Sequence, residues 1–408
     1  MINSLRRIRP KGLDVLALPT LRRLLAAEVL FDVSSNMRLA AQSWVVLELG
    51  GSALWVGLAA GARGVPAVLF GLLGGLAADR SDPRRILVIG WAVLAAVAAA
   101  TALLLAAEAL ELWHVVALSA VTGTAIAFTV PSAYSLISLV VPTKYLPNAL
   151  GLISLSWSSM EMTAPAIAGV IIASSGAWAV FWLIAAGYIS AILLLMRVQS
   201  PVKKRAKSHA SVIADLKAGI AYVRRTPPLP VMTLLAFEQN LMAVAIMPLI
   251  PVFAKEVLEV GPTGYGLLAG SMGAGFVTGA LTISAFGNFP RKGLTMMLAG
   301  AVWDGGAVAF GFSSSLALSM VILYFIGLSG PFWFNAAVST FQAKSSEAMR
   351  GRVMSVWATA GEMFPVGWLV GGVIATLFGY REALIISAAC GTPVAVVLFF
   401  LSPGFRRS

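Results

Sequence analysis

Charge is scarce in this sequence. Asp, Glu, Lys and Arg make up 11% of its 408 residues, less than half of the roughly 25% found in soluble domains. So few charges cannot cover a water-facing surface, and most of the chain must face lipid or other protein segments. A soluble enzyme with one anchor is excluded, because apolar stretches long enough to span recur from end to end. Cysteine is almost missing. Cys390 stands alone in an apolar run, which rules out an internal disulfide and a thiolate metal cluster and leaves the role of a small buried hydrophobe. His114 and His209 are the only histidines. Both fall near predicted helix ends, so neither a zinc site nor a histidine-based hydrolase has support, and no metal or cofactor is expected. The glycine-rich stretches lack the lysine of a phosphate cradle, which argues against direct drive by ATP.

What the sequence does contain is a succession of spans. Hydropathy predicts helices near 22–49, 54–77, 86–107, 113–140, 147–174 and 177–197, then near 229–254, 264–287, 294–312, 316–342, 351–377 and 381–401. Each can cross about 30 Å of hydrocarbon with some tilt. The fold class expected is all-α integral membrane: twelve transmembrane helices in two pseudo-symmetric bundles of six. Residues 1–197 would form the N-terminal bundle, 198–228 a cytoplasmic linker and 229–408 the C-terminal bundle.

The basic residues orient the spans. Of 29 lysines and arginines, all but Arg38, Arg63, Lys255 and Arg381 collect on one side, which the positive-inside rule makes cytoplasmic, both termini included. The net charge of +12 is thus a topology signal rather than a nucleic-acid footprint. The basic start, with Arg6, Arg7, Arg9 and Lys11, lacks an h-region and reads as a retained cytoplasmic tail. Within the linker, Ile213, Leu216, Ile220 and Val223 recur at helical spacing beside Lys217, Arg224 and Arg225. That pattern predicts an amphipathic helix on the inner membrane surface.

The second half echoes the first at an offset near 200–210. Gly57, Gly61 and Gly64 match Gly266, Gly270 and Gly273; Glu28 matches Glu238; Ser154, Ser158 and Glu161 match Ser355, Thr359 and Glu362. Duplicated halves of six helices are a signature of secondary transporters.

Between the second and third spans stands Gly74-Gly75-Leu-Ala-Ala-Asp79-Arg80-Ser-Asp-Pro-Arg84-Arg85. It resembles the signature loop of the major facilitator superfamily. The run from Met37 through Gln42 and Glu48 to Ser52, the stretch Asp215–Arg225 and Arg350-Gly-Arg-Val-Met-Ser355 are similar to the transmembrane secretion effector branch of that superfamily, which includes enterobactin exporters and macrolide efflux pumps. The resemblance covers nearly the whole chain and implies alternating access and export of small amphiphilic compounds. Two departures stand out: the fourth span has no arginine, unlike many proton-driven antiporters, and Asn288 replaces the loop aspartate in the second half.

Several residues carry candidate chemistry. Gly71, Gly74 and Gly75 would let helices approach closely, and Asp79 with Arg80, Arg84 and Arg85 would latch a cytoplasmic gate. In the first span Glu28, Asp32, Ser35, Asn36, Gln42 and Ser43 fall within about 120° of helical arc. That stripe must turn from lipid toward the bundle interior or a wet cavity. Asp32, near midplane, is the best single candidate for a proton-accepting carboxylate, with Glu28, Glu161, Glu238 and Glu362 as further candidates. Arg63 and Glu362 reach similar depth and could pair, or each could pair within its own half. Arg38 could hold an anionic substrate or snorkel to the interface. Asp304, on a span that is often peripheral in this architecture, reads as structural. Asn36, Gln42, Trp157, Phe332, Trp333 and Asn335 are candidate cavity residues, with Trp44 and Phe334 as further aromatics suited to a planar apolar substrate.

These readings converge on a non-enzymatic, proton-coupled exporter of small amphiphilic molecules, a drug or siderophore-like metabolite. It would be a monomer in the cell (inner) membrane whose partners are substrate, protons and lipid. An uptake symporter or lipid flippase of the same fold, or a non-transporting membrane sensor, remain the alternatives.

Overall fold

In the computed structural model the described residues are 19–142, 145–198, 212–242, 246–287, 289, 291–346, 349–361, 364–402 and 405, and nearly all are helical. The basic N-terminal tail, linker residues 199–211, Asn288 and Glu362 lie outside them. The first half contains α1 (Pro19–Glu48), α2 (Ala53–Arg80), α3 (Pro83–Ala106), α4 (Leu112–Val140), α5 (Leu146–Ser175) and α6 (Ala177–Met196). Then come α7 (Val212–Arg225), α8 (Leu229–Leu241) and α9 (Ile246–Val252), which runs into a π turn over Phe253–Val257. The chain continues through α10 (Gly261–Phe286), α11 (Lys292–Phe312), α12 (Leu316–Lys344), α13 (Arg350–Gly361), α14 (Phe364–Phe378) and α15 (Tyr380–Leu401).

Among the described residues, nine helical stretches are long and apolar enough to cross a membrane. α1 and α5, with 30 residues each and about 45 Å long at 1.5 Å per residue, have the length but are not among the nine. The predicted span 351–377 consists of α13 and the apolar α14. Apolar side chains point outward along these helices: Leu69 is 67% exposed, Ile89 65%, Phe286 79% and Leu377 71%. Surface of this kind is stable only against hydrocarbon. Cys390 belongs to it. The cysteine is exposed, which corrects the expectation of a buried hydrophobe: burial in lipid satisfies an apolar side chain as well as burial in protein.

The chain divides into two compact units, Met1–Gln42 with Val65–Ala206, and Ser43–Gly64 with Lys207–Ser408. The same pairings recur inside each. In the first unit α3 packs on α4 and α6; in the second, α11 packs on α12 and α15. Glycine enables corresponding close crossings. A Cβ on Gly74 of α2 would collide with the Ala127 carbonyl of α4, and one on Gly275 of α10 with the Tyr324 carbonyl of α12. Gly71 and Gly75 meet nothing within 4 Å, so of the three glycines expected to let helices approach, only Gly74 does so. The repeat extends to the turns. Gly176 between α5 and α6 and Gly379 between α14 and α15 have φ of 85° and 106°, a region closed to most side chains.

The tip of the α1–α2 hairpin belongs to the second unit. A Cβ on Gly57 would stand 2.9 Å from the Trp368 carbonyl oxygen of α14, and one on Gly372 would stand 3.2 Å from the Gly57 Cα. Lys255 donates to the Leu47 carbonyl, and Trp44 stacks on Tyr265 at 6.0 Å. The amphipathic α7 is docked as well. Gly219 lies against the Arg352 carbonyl of α13, while the Tyr222 hydroxyl donates to the Lys344 carbonyl at 3.1 Å and accepts from the Ser346 N–H at 3.2 Å. Val223 enters the core around Trp357 and Phe341.

α3 begins where the sequence marks it. Asp82 is its N-cap, with its Oδ1 accepting from the Arg84 N–H at 3.0 Å, and Pro83 follows at the first position. An N-cap carboxylate satisfies a donor that the helix leaves unpaired. Asp82→Ala is expected to cost about 1 kcal/mol, read as a lower melting temperature of the purified protein, with Asp82→Asn close to the original.

Candidate functional site

α1 is the most polar long helix, and the protein covers its polar residues. Glu28 is 5% exposed, Asp32 3%, Asn36 3%, Arg38 2% and Gln42 9%. Packing fixes this face. Phe31 stacks on Trp91 of α3 at 5.3 Å and meets Tyr188 of α6 at 5.9 Å, and Gly187 makes room for the Ser34 hydroxyl.

Polar groups of α1 are tied to neighbouring helices. The Ser156 hydroxyl of α5 donates to Asp32 Oδ2 at 2.6 Å. Gln42 Oε1 accepts from Arg38 Nη1 at 2.6 Å and from the Ser119 hydroxyl of α4 at 3.1 Å. Asn36 bonds back to the Asp32 carbonyl at 2.9 Å. Glu28, one turn before Asp32 on the same face, has a buried Oε1 without a hydrogen-bond partner among the described residues. No ion pair to either acid occurs among those residues. Two shielded carboxylates one turn apart, with no ion-paired cation among the described residues, are costly when both are charged. Proton uptake relieves that cost, which is the chemistry this face can perform.

The other candidates are distributed differently. Arg63 is buried on α2 at 8% exposure, but Glu362 is outside the described residues, as is the proposed pairing between them. Glu161 on α5 is accessible on its helix surface, and Trp157 near it is 36% exposed. In the signature loop Arg80 is exposed, Arg84 donates to the Met196 carbonyl at the end of α6, and Arg85 lies 3.9 Å from Asp82. The Arg85 side chain is 86% exposed, so this ion pair contributes little to stability. Asp79 lies in the last turn of α2, its side chain outside the described set. In the second unit Phe332 and Asn335 line a small recess with Phe289 and Lys292, whereas Trp333 packs on Trp357 at 5.8 Å. Glu238 on α8 approaches Asp304 on α11 around Gly391 of α15.

Three groups in these networks were not singled out from sequence: Ser156, Ser119 and Thr392. Ser156 sits midway between Ser154 and Ser158, which the repeat highlighted, and so on another face of α5. Hydroxyls are common on these helices, and no periodicity marks the one that meets α1.

The chain matches the family model described as transmembrane secretion effector over residues 12–403. It is 21% identical over 367 residues to macrolide efflux protein A of Streptococcus pyogenes, covering 86% of this chain and 88% of that one. It is 24% identical over 396 residues to the multidrug efflux pump Tap of Mycolicibacterium fortuitum, covering 93% and 94%. A solved bacterial homologue of the human lysosomal transporter Spinster, inward-facing and unoccupied, matches with a TM-score of 0.74 at 15% identity, covering 95% of this chain and 97% of that one. The human organic anion transporter MFSD10 matches with a TM-score of 0.65 at 15% identity, covering 96% and 100%. Those two structures speak for the fold alone; the family match covers nearly the whole chain. The protein is thus a multi-pass membrane transporter of small molecules rather than an enzyme, and it belongs to the transmembrane secretion effector family of the major facilitator superfamily.

Proposed function

We propose that this transporter exports small amphiphilic molecules in exchange for protons, with Asp32 and Glu28 of α1 as the coupling carboxylates. The observation that supports this most is the covered face of α1, where two acids one turn apart lack a cationic partner among the described residues. The names of the relatives, a macrolide efflux protein and a multidrug efflux pump, favour the outward direction and an amphiphilic cargo. In this reading the chain is a monomer of twelve spans in two bundles, residues 1–197 and 229–408 joined by 198–228. Both termini are cytoplasmic and the protein resides in the cell membrane. It works by alternating access, with Asp79, Arg80, Arg84 and Arg85 latching the cytoplasmic side. Substrate entering from the cytoplasm displaces the protons, and reprotonation from outside resets the carrier.

Everted membrane vesicles from cells lacking other pumps provide the test. With an imposed pH gradient, acid inside, a lipophilic dye or a macrolide is expected to accumulate several-fold over vesicles without the protein, and an uncoupler should abolish the gain. Accumulation unchanged by the uncoupler would refute proton drive. Loss of probe from vesicles under the same gradient would point to uptake, and movement of a labelled lipid in its place would point to a flippase.

A further inference from the structure

Glu238 and Asp304 are far apart in the chain, yet the second unit brings them to one point. A Cβ on Gly391 of α15 would stand 2.6 Å from Glu238 Oε1 and 2.9 Å from Asp304 Oδ2. The two oxygens are therefore no farther from each other than the sum of those distances. With both carboxylates where they stand, a side chain at Gly391 would push against each. Asp304 is 4% exposed, and its Oδ2 accepts from the Thr392 hydroxyl at 2.8 Å. Asp304 Oδ1 and Glu238 Oε1 are buried without a hydrogen-bond partner among the described residues. Each is an acceptor without a donor among those residues, and the Thr392 hydroxyl is taken up by Asp304 Oδ2.

Among the described residues no ion pair to either acid occurs. α8 packs on α7, α12, α13, α14 and α15, and α11 on α12 and α15. The basic groups of those elements are Arg224 and Arg225 at the end of α7, Lys344 at the end of α12, Arg350 and Arg352 at the start of α13, and Arg381 at the start of α15. Lys292 opens α11, and Lys217 lies on the exposed side of α7. The remaining titratable groups, Asp215 and Tyr222 of α7, Tyr324 of α12, and Tyr380, Glu382 and Cys390 of α15, supply no positive charge. α9 and α14 have no titratable residue. Two ionised carboxylates enclosed together repel and forfeit hydration, and one proton removes both penalties.

We propose that Glu238 and Asp304 form a proton-binding pair that holds a single proton within the second unit, separate from the acids of α1. The Thr392 hydroxyl donates to Asp304, which favours Asp304 as the ionised member and Glu238 as the one that carries the proton. A proton supplies the donor that the two unpartnered carboxylate oxygens lack. The transporter then has a protonation step in each unit. Proton binding by the pair does not depend on the export reading.

Infrared difference spectra of the full-length protein in lipid nanodiscs, titrated with acid, read protonated carboxyls directly. The original protein is expected to show a protonated-carboxyl signal that Glu238→Gln removes. Asp304→Asn should retain the signal and move its midpoint by tenfold or more in proton concentration. The same comparison in an E28Q/D32N background keeps the α1 acids out of the spectrum. Identical spectra with and without Glu238 would overturn the proposal, as would a midpoint that follows sodium concentration at constant ionic strength. Should either variant fail to fold, the original protein still decides. Dicyclohexylcarbodiimide labels protonated carboxyls in apolar surroundings, and mass spectrometry should find the label on Glu238; its absence from both acids would count against the pair. These measurements read proton binding and not transport, so they can fail while the export assay succeeds, or the reverse.

Discussion

Asp32→Asn is expected to lower proton-driven transport tenfold or more while leaving the protein folded and inserted. The amide has the size of the carboxylate, and its oxygen can still accept from the Ser156 hydroxyl that now donates to Asp32 at 2.6 Å. What it loses is the ability to bind and release a proton. Folding should not suffer. A charged aspartate at the centre of a spanning helix costs about 2.5–3.5 kcal/mol on insertion scales, and the neutral amide removes that charge. The melting temperature of D32N is therefore expected to equal or exceed that of the original, with transport in everted vesicles nearly gone. A low rate together with a lowered melting temperature would instead mark Asp32 as a structural group. An unchanged rate would remove it from the coupling step.

Gly327→Val is expected to have the largest effect on stability. α10 and α12 cross with backbone against backbone: a Cβ on Gly327 would overlap the Met272 carbonyl, and one on Gly275 would overlap the Tyr324 carbonyl. A Cβ on Gly279 would stand 2.6 Å from the Leu328 carbonyl oxygen. A flexible side chain could yield to such an intruder, but a helix backbone yields only if the whole crossing opens. Overpacking typically costs about 1–3 kcal/mol, and a valine facing a carbonyl belongs at or beyond the upper end. Folded yield and thermal stability in detergent should fall sharply for both G275V and G327V. Gly305→Ala is the matched control. Gly305 lies inside α11 with nothing within 4 Å of its Cβ position, so alanine should stabilise by about 0.5–1 kcal/mol through helix propensity. Equal effects at Gly305 and Gly327 would contradict the crossing geometry.

Much of this architecture was legible in the residues. Predicted helix limits such as 113–140 and 316–342 lie within a few residues of Leu112–Val140 and Leu316–Lys344, because a spanning helix satisfies its own backbone and needs only a local apolar run. The paired glycines of the α10–α12 crossing were less legible. Glycines are abundant in the spans, and whether one faces another backbone, as Gly74 does, or open space, as Gly71 and Gly75 do, depends on how the helices are rotated. The π turn over Phe253–Val257 and the docking of α7 on α13 were hidden for the same reason. Glu161 shows the limit most plainly: it has the same acidic chemistry as Glu28, but it is accessible on its helix surface where Glu28 is covered.

The order of residues alone determined that this is a membrane chain with a polar first helix and a repeated half, since hydropathy, charge placement and internal similarity are read along one strand without knowing what touches what. Tertiary structure decided which acids share a site: that Asp32 meets Ser156, and that Glu238 and Asp304 converge on Gly391 beside Thr392. Such meetings depend on helix rotation and on how closely the helices cross. Local sequence signals carry neither.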